Sequence, residues 1–466
     1  MKLQILAATA VGAVAALGAG LLAPVAMAEP SSATQSVKVA PAPPVALPQE
    51  LDRAFYEPSK SSYASKKPGE IIAARRINAA TFGVVPLNVD AWQLSYRSTD
   101  SRGEPIAAVT TLLKPRGTIK GPRKIVSMQL AEDSLAGYCA PSYAVQQWSA
   151  AAAVGQVVIP AESIIMQGML AQGWAVALPD HEGPRHAYGA GPLGARITLD
   201  GLRAAKRFGP IGIDDRSPMG MYGYSGGAIV TGHAAELKQS YAPELNILGA
   251  AEGGVPADLK VVLNAAQNGA TSGLILGAVI GLGREYPYFQ RFLDTHVNPV
   301  GKAVIAAKDP LCVQHQAMVL PFLNNKGFLN WPGDPVNAPP VKRVLDETRM
   351  GKAVPDMPMY IWNSQLDEVI PVGQVNTLVH TYCRTPGAQV TYTRDHLSEH
   401  GIAEISGAPL AVLWLKDRLD GTPAARGCTT RDELTMATDA RWWPTFSATV
   451  GTNIASLFGA ALGRGK

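Results

Sequence analysis

Residues 91–97 (Ala-Trp-Gln-Leu-Ser-Tyr-Arg) alternate apolar and polar side chains with the two-residue period of a half-buried strand. Residues 106–113 repeat the signal beyond a turn at Arg102-Gly103, and 124–130 give a third apolar run. The rhythm then changes. Residues 163–171 carry helical spacing, 174–179 are continuously apolar, and 194–208 are amphipathic with a helical period. Strand 219–224, helix 228–237 and strand 245–250 follow. A continuous apolar run suits a strand covered on both faces. Two antiparallel strands leading into strand–helix–strand units predict an α/β fold: a mixed, mostly parallel sheet with helices on both faces.

The alternation is interrupted at residues 256–354. Helical apolar runs at 274–282 and 316–323 and a Pro-rich exit at 331–335 read as a helical insertion. Strands resume at 357–363 and 389–393, each followed by a helical pattern, 373–382 and 402–419. The expected organisation is a core in two parts, 55–255 and 355–428, split by the insertion at 256–354, with a tail at 429–466. Residues 29–54, rich in Pro and Ala, read as an extended linker.

The chain starts with one basic residue, Lys2, then an uncharged stretch to Val25, and ends that stretch with small-x-small at Ala26-Met27-Ala28. This is the pattern of a secretory signal peptide, residues 1–28, with cleavage after Ala28; an uncleaved anchor is the alternative. The expected location is secreted or cell-surface. Removing Lys2 lowers the formal charge from +4 to +3, and no long basic run remains, so no nucleic-acid partner is expected. Four cysteines in an exported chain read as two disulfides with three possible connectivities. No Cys-x-x-Cys pair exists to suggest a zinc ribbon or a dithiol redox motif.

Within this frame Gly223-Tyr224-Ser225-Gly226-Gly227 falls between a strand and a helix. Gly-x-Ser-x-Gly in that context is a nucleophile elbow, a turn too tight for bulky neighbours that lifts the serine Oγ above a parallel sheet. A serine hydroxyl needs a base within hydrogen-bond reach, and the base needs a carboxylate to fix its tautomer. In an α/β-hydrolase these follow in the order Ser, acid, His, each in a loop after a later strand. Asp367 meets that condition, with Glu368 beside it as a weaker candidate. Three histidines follow: His380 inside a predicted helix, and His396 and His400 in one loop. His400 directly precedes the closing helix and is the expected base, with His396 the alternative. The oxyanion hole should combine the Gly226 amide with one from the loop at 131–134, where Asp133 is the candidate; a helix N-cap is its plainer role. The run Asp180-His181-Glu182-Gly183-Pro184-Arg185-His186 clusters His and carboxylates without metal-ligand spacing, and reads as a structured loop lining the cleft. No metal or organic cofactor is expected.

Three segments together carry a resemblance: Glu132-Asp133-Ser134 with Cys139-Ala140-Pro141-Ser142-Tyr143, the loop 179–184, and the serine pentapeptide. The chain resembles the secretory lipase family over about 55–428. That resemblance implies an α/β-hydrolase with a helical lid inserted at 256–354, and a Ser225-Asp367-His400 triad with Asp133 and Gly226 at the oxyanion hole. It also implies disulfides Cys139–Cys312 and Cys383–Cys428. The expected function is hydrolysis of lipid or other acyl esters through an acyl-enzyme. An acyltransferase with the same triad and a non-water acceptor is the alternative, and a non-catalytic surface-binding protein a third. The tail departs from the family pattern: beyond Trp442-Trp443-Pro444 it carries a helical repeat (Phe446, Val450, Ile454, Leu457, Ala461). It should pack against the body or, with the lid, contact a lipid interface.

Overall fold

The computed structural model describes residues 34–119 and 121–463; the expected signal peptide lies outside them. Eleven strands among these residues form one sheet. In chain order they are β1 (Val39–Ala40), β2 (Ile71–Arg76), β3 (Val89–Thr99), β4 (Pro105–Pro115), β5 (Ile125–Gln129) and β6 (Ala175–Pro179), then β7 (Met219–Tyr224), β8 (Ile247–Gly253), β9 (Met359–Ser364), β10 (Val390–Asp395) and β11 (Cys428–Glu433). Their order across the sheet is β1-β2-β3-β4-β6-β5-β7-β8-β9-β10-β11. Strands β2, β3, β4 and β6 pair antiparallel, and every pairing from β6 through β11 is parallel. The β3–β4 turn is held by Asp100, whose Oδ1 accepts the amides of Arg102 and Glu104, both at 2.9 Å.

The connections supply the covering helices: α1 (Val158–Ala171), α2 (Gly191–Arg207) and α3 (Gly226–Tyr241). Between β8 and β9 come α4 (Leu259–Ala266), α5 (Ser272–Glu285), α6 (Pro287–His296), α7 (Pro299–Lys308), α8 (Val313–Met318) and α9 (Pro339–Glu347). The chain closes with α10 (Val372–Cys383), α11 (His400–Leu419) and α12 (Trp442–Leu457). Alternation along β7 sorts the core into two layers. Met219 and Met221 join the apolar cluster that holds α2, α3 and α10, while Tyr222 and Tyr224 join the one that holds α1 and α11.

Three expectations are corrected here. The segment at 29–54, expected as a linker, is docked where it is described. Gln35 pairs its side-chain amide with both backbone groups of Ile71, each at 2.9 Å, β1 extends the sheet, and Asp52 pairs with the Arg75 guanidinium. The helix expected at 316–323 stops at Met318, because Leu320 and Phe322 turn to φ of 62° and 63°, which no helix accommodates. Cys428 does not close the folded body. It opens β11, an exposed edge strand; the tail, expected either to pack against the body or to meet lipid, packs inward, with Trp442 buried and its indole N–H donating to the Ser406 carbonyl at 2.9 Å.

Candidate active site

β7 ends at Tyr224 and α3 begins at Gly226, so Ser225 forms the turn alone, at φ 49° and ψ −118°. Such a conformation is strained for a residue with a side chain and persists only where its surroundings impose it. Here the Ser225 amide donates to the Gly253 carbonyl at 2.9 Å, pinning the turn to β8. A methyl group at Gly227 would overlap the Gln129 carbonyl, and one at Gly223 would strike Thr231 and the Gly227 carbonyl. The glycines of the pentapeptide are therefore demanded by backbone closeness. Gly226 is the first residue of α3, where the helix itself offers its N–H no acceptor.

Asp367 sits in the loop from β9 to α10 with its side chain fully enclosed. Its Oδ1 accepts the amides of Val369 (3.0 Å) and Ile370 (2.6 Å). His400 is the first residue of α11. Its Nδ1 lies 2.8 Å from Asp367 Oδ2, and its Nε2 lies 2.9 Å from Ser225 Oγ. Of the three late histidines only this one meets the serine: His380 is exposed on α10, and His396 pairs with Asp432 at 2.8 Å. Burial alone would lower the His400 pKa. The Asp367 hydrogen bond and charge outweigh it, aided by Glu368 and Glu404, and hold the imidazole above its ordinary value.

Several groups fix where α11 begins, and of these Glu399, Trp362 and Asp395 carry no signal in the sequence. Glu368 is not the partner of the imidazole; its Oε2 accepts the His400 amide at 3.1 Å. Glu399 caps α11 by accepting from Gly401 and Ile402. The Tyr224 hydroxyl donates to the His400 carbonyl at 2.6 Å, with the two rings 5.2 Å apart. Fully buried Trp362 donates to the Ala403 carbonyl at 3.1 Å, and Gly407 lets α11 close against its indole. Asp395, at the end of β10, accepts the amides of Leu397, Ser398 and Met436, which sets the loop leading to His400. Burial would raise its pKa, but those amides hold it below the ordinary carboxylate value.

The 131–134 loop lies across from α3. Asp133 is buried at φ 43°, and its Oδ1 stands where a methyl group on Gly226 would be. Burial lifts its carboxyl to about 7 against the pull of His400, the Tyr188 hydroxyl and its own amide. The loop at 180–186 braces this one, while its Pro184, Arg185 and His186 line a surface cavity. Asp180 accepts the Ser142 amide at 2.8 Å, His181 Nε2–H donates to the Leu130 carbonyl at 2.8 Å, and Glu182 accepts the Ser134 amide at 3.3 Å. Burial drops His181 to about 4, so the ring is neutral there. Among the described residues no group of His, Cys, Asp and Glu is arranged to hold a metal ion. The disulfides are Cys139–Cys312, which ties this region to the start of α8, and Cys383–Cys428, which joins the end of α10 to the start of β11.

A mostly parallel sheet with helices on both sides and a serine turn between strand and helix define an α/β-hydrolase. The "Secretory lipase" family model matches residues 148–427. Lipase A of Arthroderma benhamiae is 35% identical over 433 residues, covering 91% of this chain and 90% of that protein. A Mycobacterium tuberculosis protein named a probable inactive lipase is 34% identical over 374 residues, 80% of this chain and 83% of its own. The X-ray structure of Candida antarctica lipase A is similar with a TM-score of 0.80 and 29% identity, covering 90% of this chain and 99% of that one. The chain belongs to the secretory lipase family and is a carboxylic ester hydrolase.

Proposed function

We propose that the protein is an exported serine hydrolase that cleaves lipid acyl esters through a covalent acyl-enzyme. The observation that carries this reading is the continuous contact from Ser225 Oγ to His400 Nε2 and from His400 Nδ1 to Asp367. Ser225 attacks the ester carbonyl while His400 takes its proton, and Asp367 stabilises the imidazolium. The Gly226 amide, at the free end of α3, and the Asp133 amide receive the oxyanion. His400 then protonates the leaving alcohol, and water releases the acyl group by the same steps in reverse.

The helices between β8 and β9 act as a lid over this chemistry, within the boundaries 256–354. Gly281 of α5 rests against the Tyr188 backbone, whose hydroxyl engages Asp133, and Cys312 anchors α8 to Cys139. Exposed Met318 at the end of α8 and Phe322 just beyond it, with Trp443 and Phe458 in the tail, support contact with a lipid surface. The two disulfides and the family support export directed by residues 1–28.

A relative named inactive makes the non-catalytic reading worth testing directly. Ser225→Ala should keep the fold and lose p-nitrophenyl butyrate hydrolysis. Wild-type turnover by the purified variant would overturn the assignment.

A further inference from the structure

On the α11 side of the sheet runs a groove of about 480 Å³. Its walls are α1, α11 and α12, represented by Ala161 and Ile165, Gly401 and Ala408, and Phe446 and Val450. The third wall lies beyond the 148–427 family match. Among the described residues its ionisable lining is Glu162 and Glu404, whose carboxyls are neighbours. Glu162 also accepts the Ala131 amide at 2.9 Å, at the start of the loop that carries Asp133. Glu162 thus links the groove lining to that loop, and Gly401 links it to the turn that carries His400.

Among the described residues no Lys, Arg or His lines this space, so an anionic headgroup or a free carboxylate finds no counter-charge there. Its size falls in the range of ligand sites, and its lining suits hydrocarbon. Position then separates the two halves of an ester. The proton donor to a leaving alkoxide must touch the alcohol oxygen, so the alcohol side of the substrate lies at His400 Nε2. Gly401, the next residue, opens the groove wall. From this placement we infer that the groove between α1, α11 and α12 binds the hydrocarbon chain on the alcohol side of the ester. The inference rests on the reading of Ser225 and His400 given above.

Two ester series separate the alcohol side from the acyl side: butyrates of alcohols from ethanol to hexadecanol, and ethyl esters from butyrate to palmitate. Ala161 is exposed at the groove, so Ala161→Trp fills it without disturbing the core. Along the alcohol series, wild-type kcat/KM should rise with chain length. In Ala161→Trp the rise should flatten, with hexadecyl butyrate losing about tenfold or more, because excluding two methylenes already has that effect. Ethyl butyrate and the whole acyl series should be unchanged. Val450→Trp, from the opposite wall, should behave alike and decides the matter if Ala161→Trp loses its native melting transition. Decanol binding by calorimetry to Ser225→Ala reads the groove without turnover, and adding Ala161→Trp should abolish it. If Ser225→Ala still hydrolyses esters, the catalytic reading fails. If catalysis follows Ser225 but the alcohol series is unaffected, or only the acyl series changes, the groove assignment fails.

Discussion

Replacing Asp367 with Asn tests the relay with almost no change in shape. In the wild type, Oδ1 is committed to the amides of Val369 and Ile370, and Oδ2 is the nearer oxygen to His400 Nδ1, at 2.8 Å. An asparagine must keep its oxygen toward the two amides, since its NH2 cannot accept from them. The NH2 then faces Nδ1 and forces that nitrogen to accept. The ring proton moves to Nε2, where it points at Ser225 Oγ, and the imidazole no longer serves as a base. In serine proteases the same wrong-tautomer change lowers kcat by about 10⁴, or ~5.5 kcal/mol. A loss of that order is expected here, because Asp367 is fully enclosed and no water can stand in for the lost acceptor. The assay is kcat for p-nitrophenyl butyrate in mildly alkaline buffer, paired with calorimetry to show that Tm is nearly unchanged. A fall in kcat of less than about tenfold with the fold intact would mean that Asp367 does not set the His400 tautomer.

Cys383→Ser/Cys428→Ser opens a loop with a sequence separation of 45, for which chain entropy gives about 4 kcal/mol. Calorimetry should show Tm lowered by several degrees, and an unchanged Tm would contradict this. The raised pKa of His400 places the acid limb of the pH–kcat profile above the ordinary histidine value of about 6.5. Since the Glu368 charge raises that pKa, Glu368→Gln should move the limb to lower pH; no movement would remove Glu368 from the account. Burial raises the carboxyls of Asp133 and Asp180 to about 7 and of Glu252 to about 8. The folded state then holds protons that the unfolded chain releases near pH 4, so stability should fall as pH rises from about 4 to about 8. A Tm that instead rises across that window would mean these groups are ionised in the fold.

The parts of the fold that carry their own apolar period were legible. Strand 219–224 coincides with β7, and the patterns at 91–97 and 106–113 lie inside β3 and β4. The serine turn was legible for a steric reason, because Gly223 and Gly227 stand where any side chain collides with backbone. β11 was not. Cys428–Glu433 is polar and exposed along nearly its whole length, so only pairing with β10 reveals it as a strand. β1 was hidden likewise in a Pro-rich stretch, and its place depends on Ile71 and Ala74, far along the chain. Asp395, Glu368 and Trp362 act through backbone groups that meet only after folding, and no spacing announces such partners. Asp133, His181 and Glu182 stood out as polar clusters. That they are buried, with His181 and Glu182 bonded to the Leu130 carbonyl and the Ser134 amide on either side of Asp133, is set by packing.

The proposed acyl-enzyme requires a covalent bond between Ser225 and the substrate's acyl group. Treatment with diethyl p-nitrophenyl phosphate, which leaves a stable phosphoryl ester on an activated serine, followed by peptide mass mapping reads this directly. One diethylphosphoryl group is expected, on Ser225, appearing in step with loss of ester hydrolysis, absent from Ser225→Ala and strongly slowed in Asp367→Asn. Loss of hydrolysis with the adduct on another residue, or full labelling of Asp367→Asn at the wild-type rate, would contradict it.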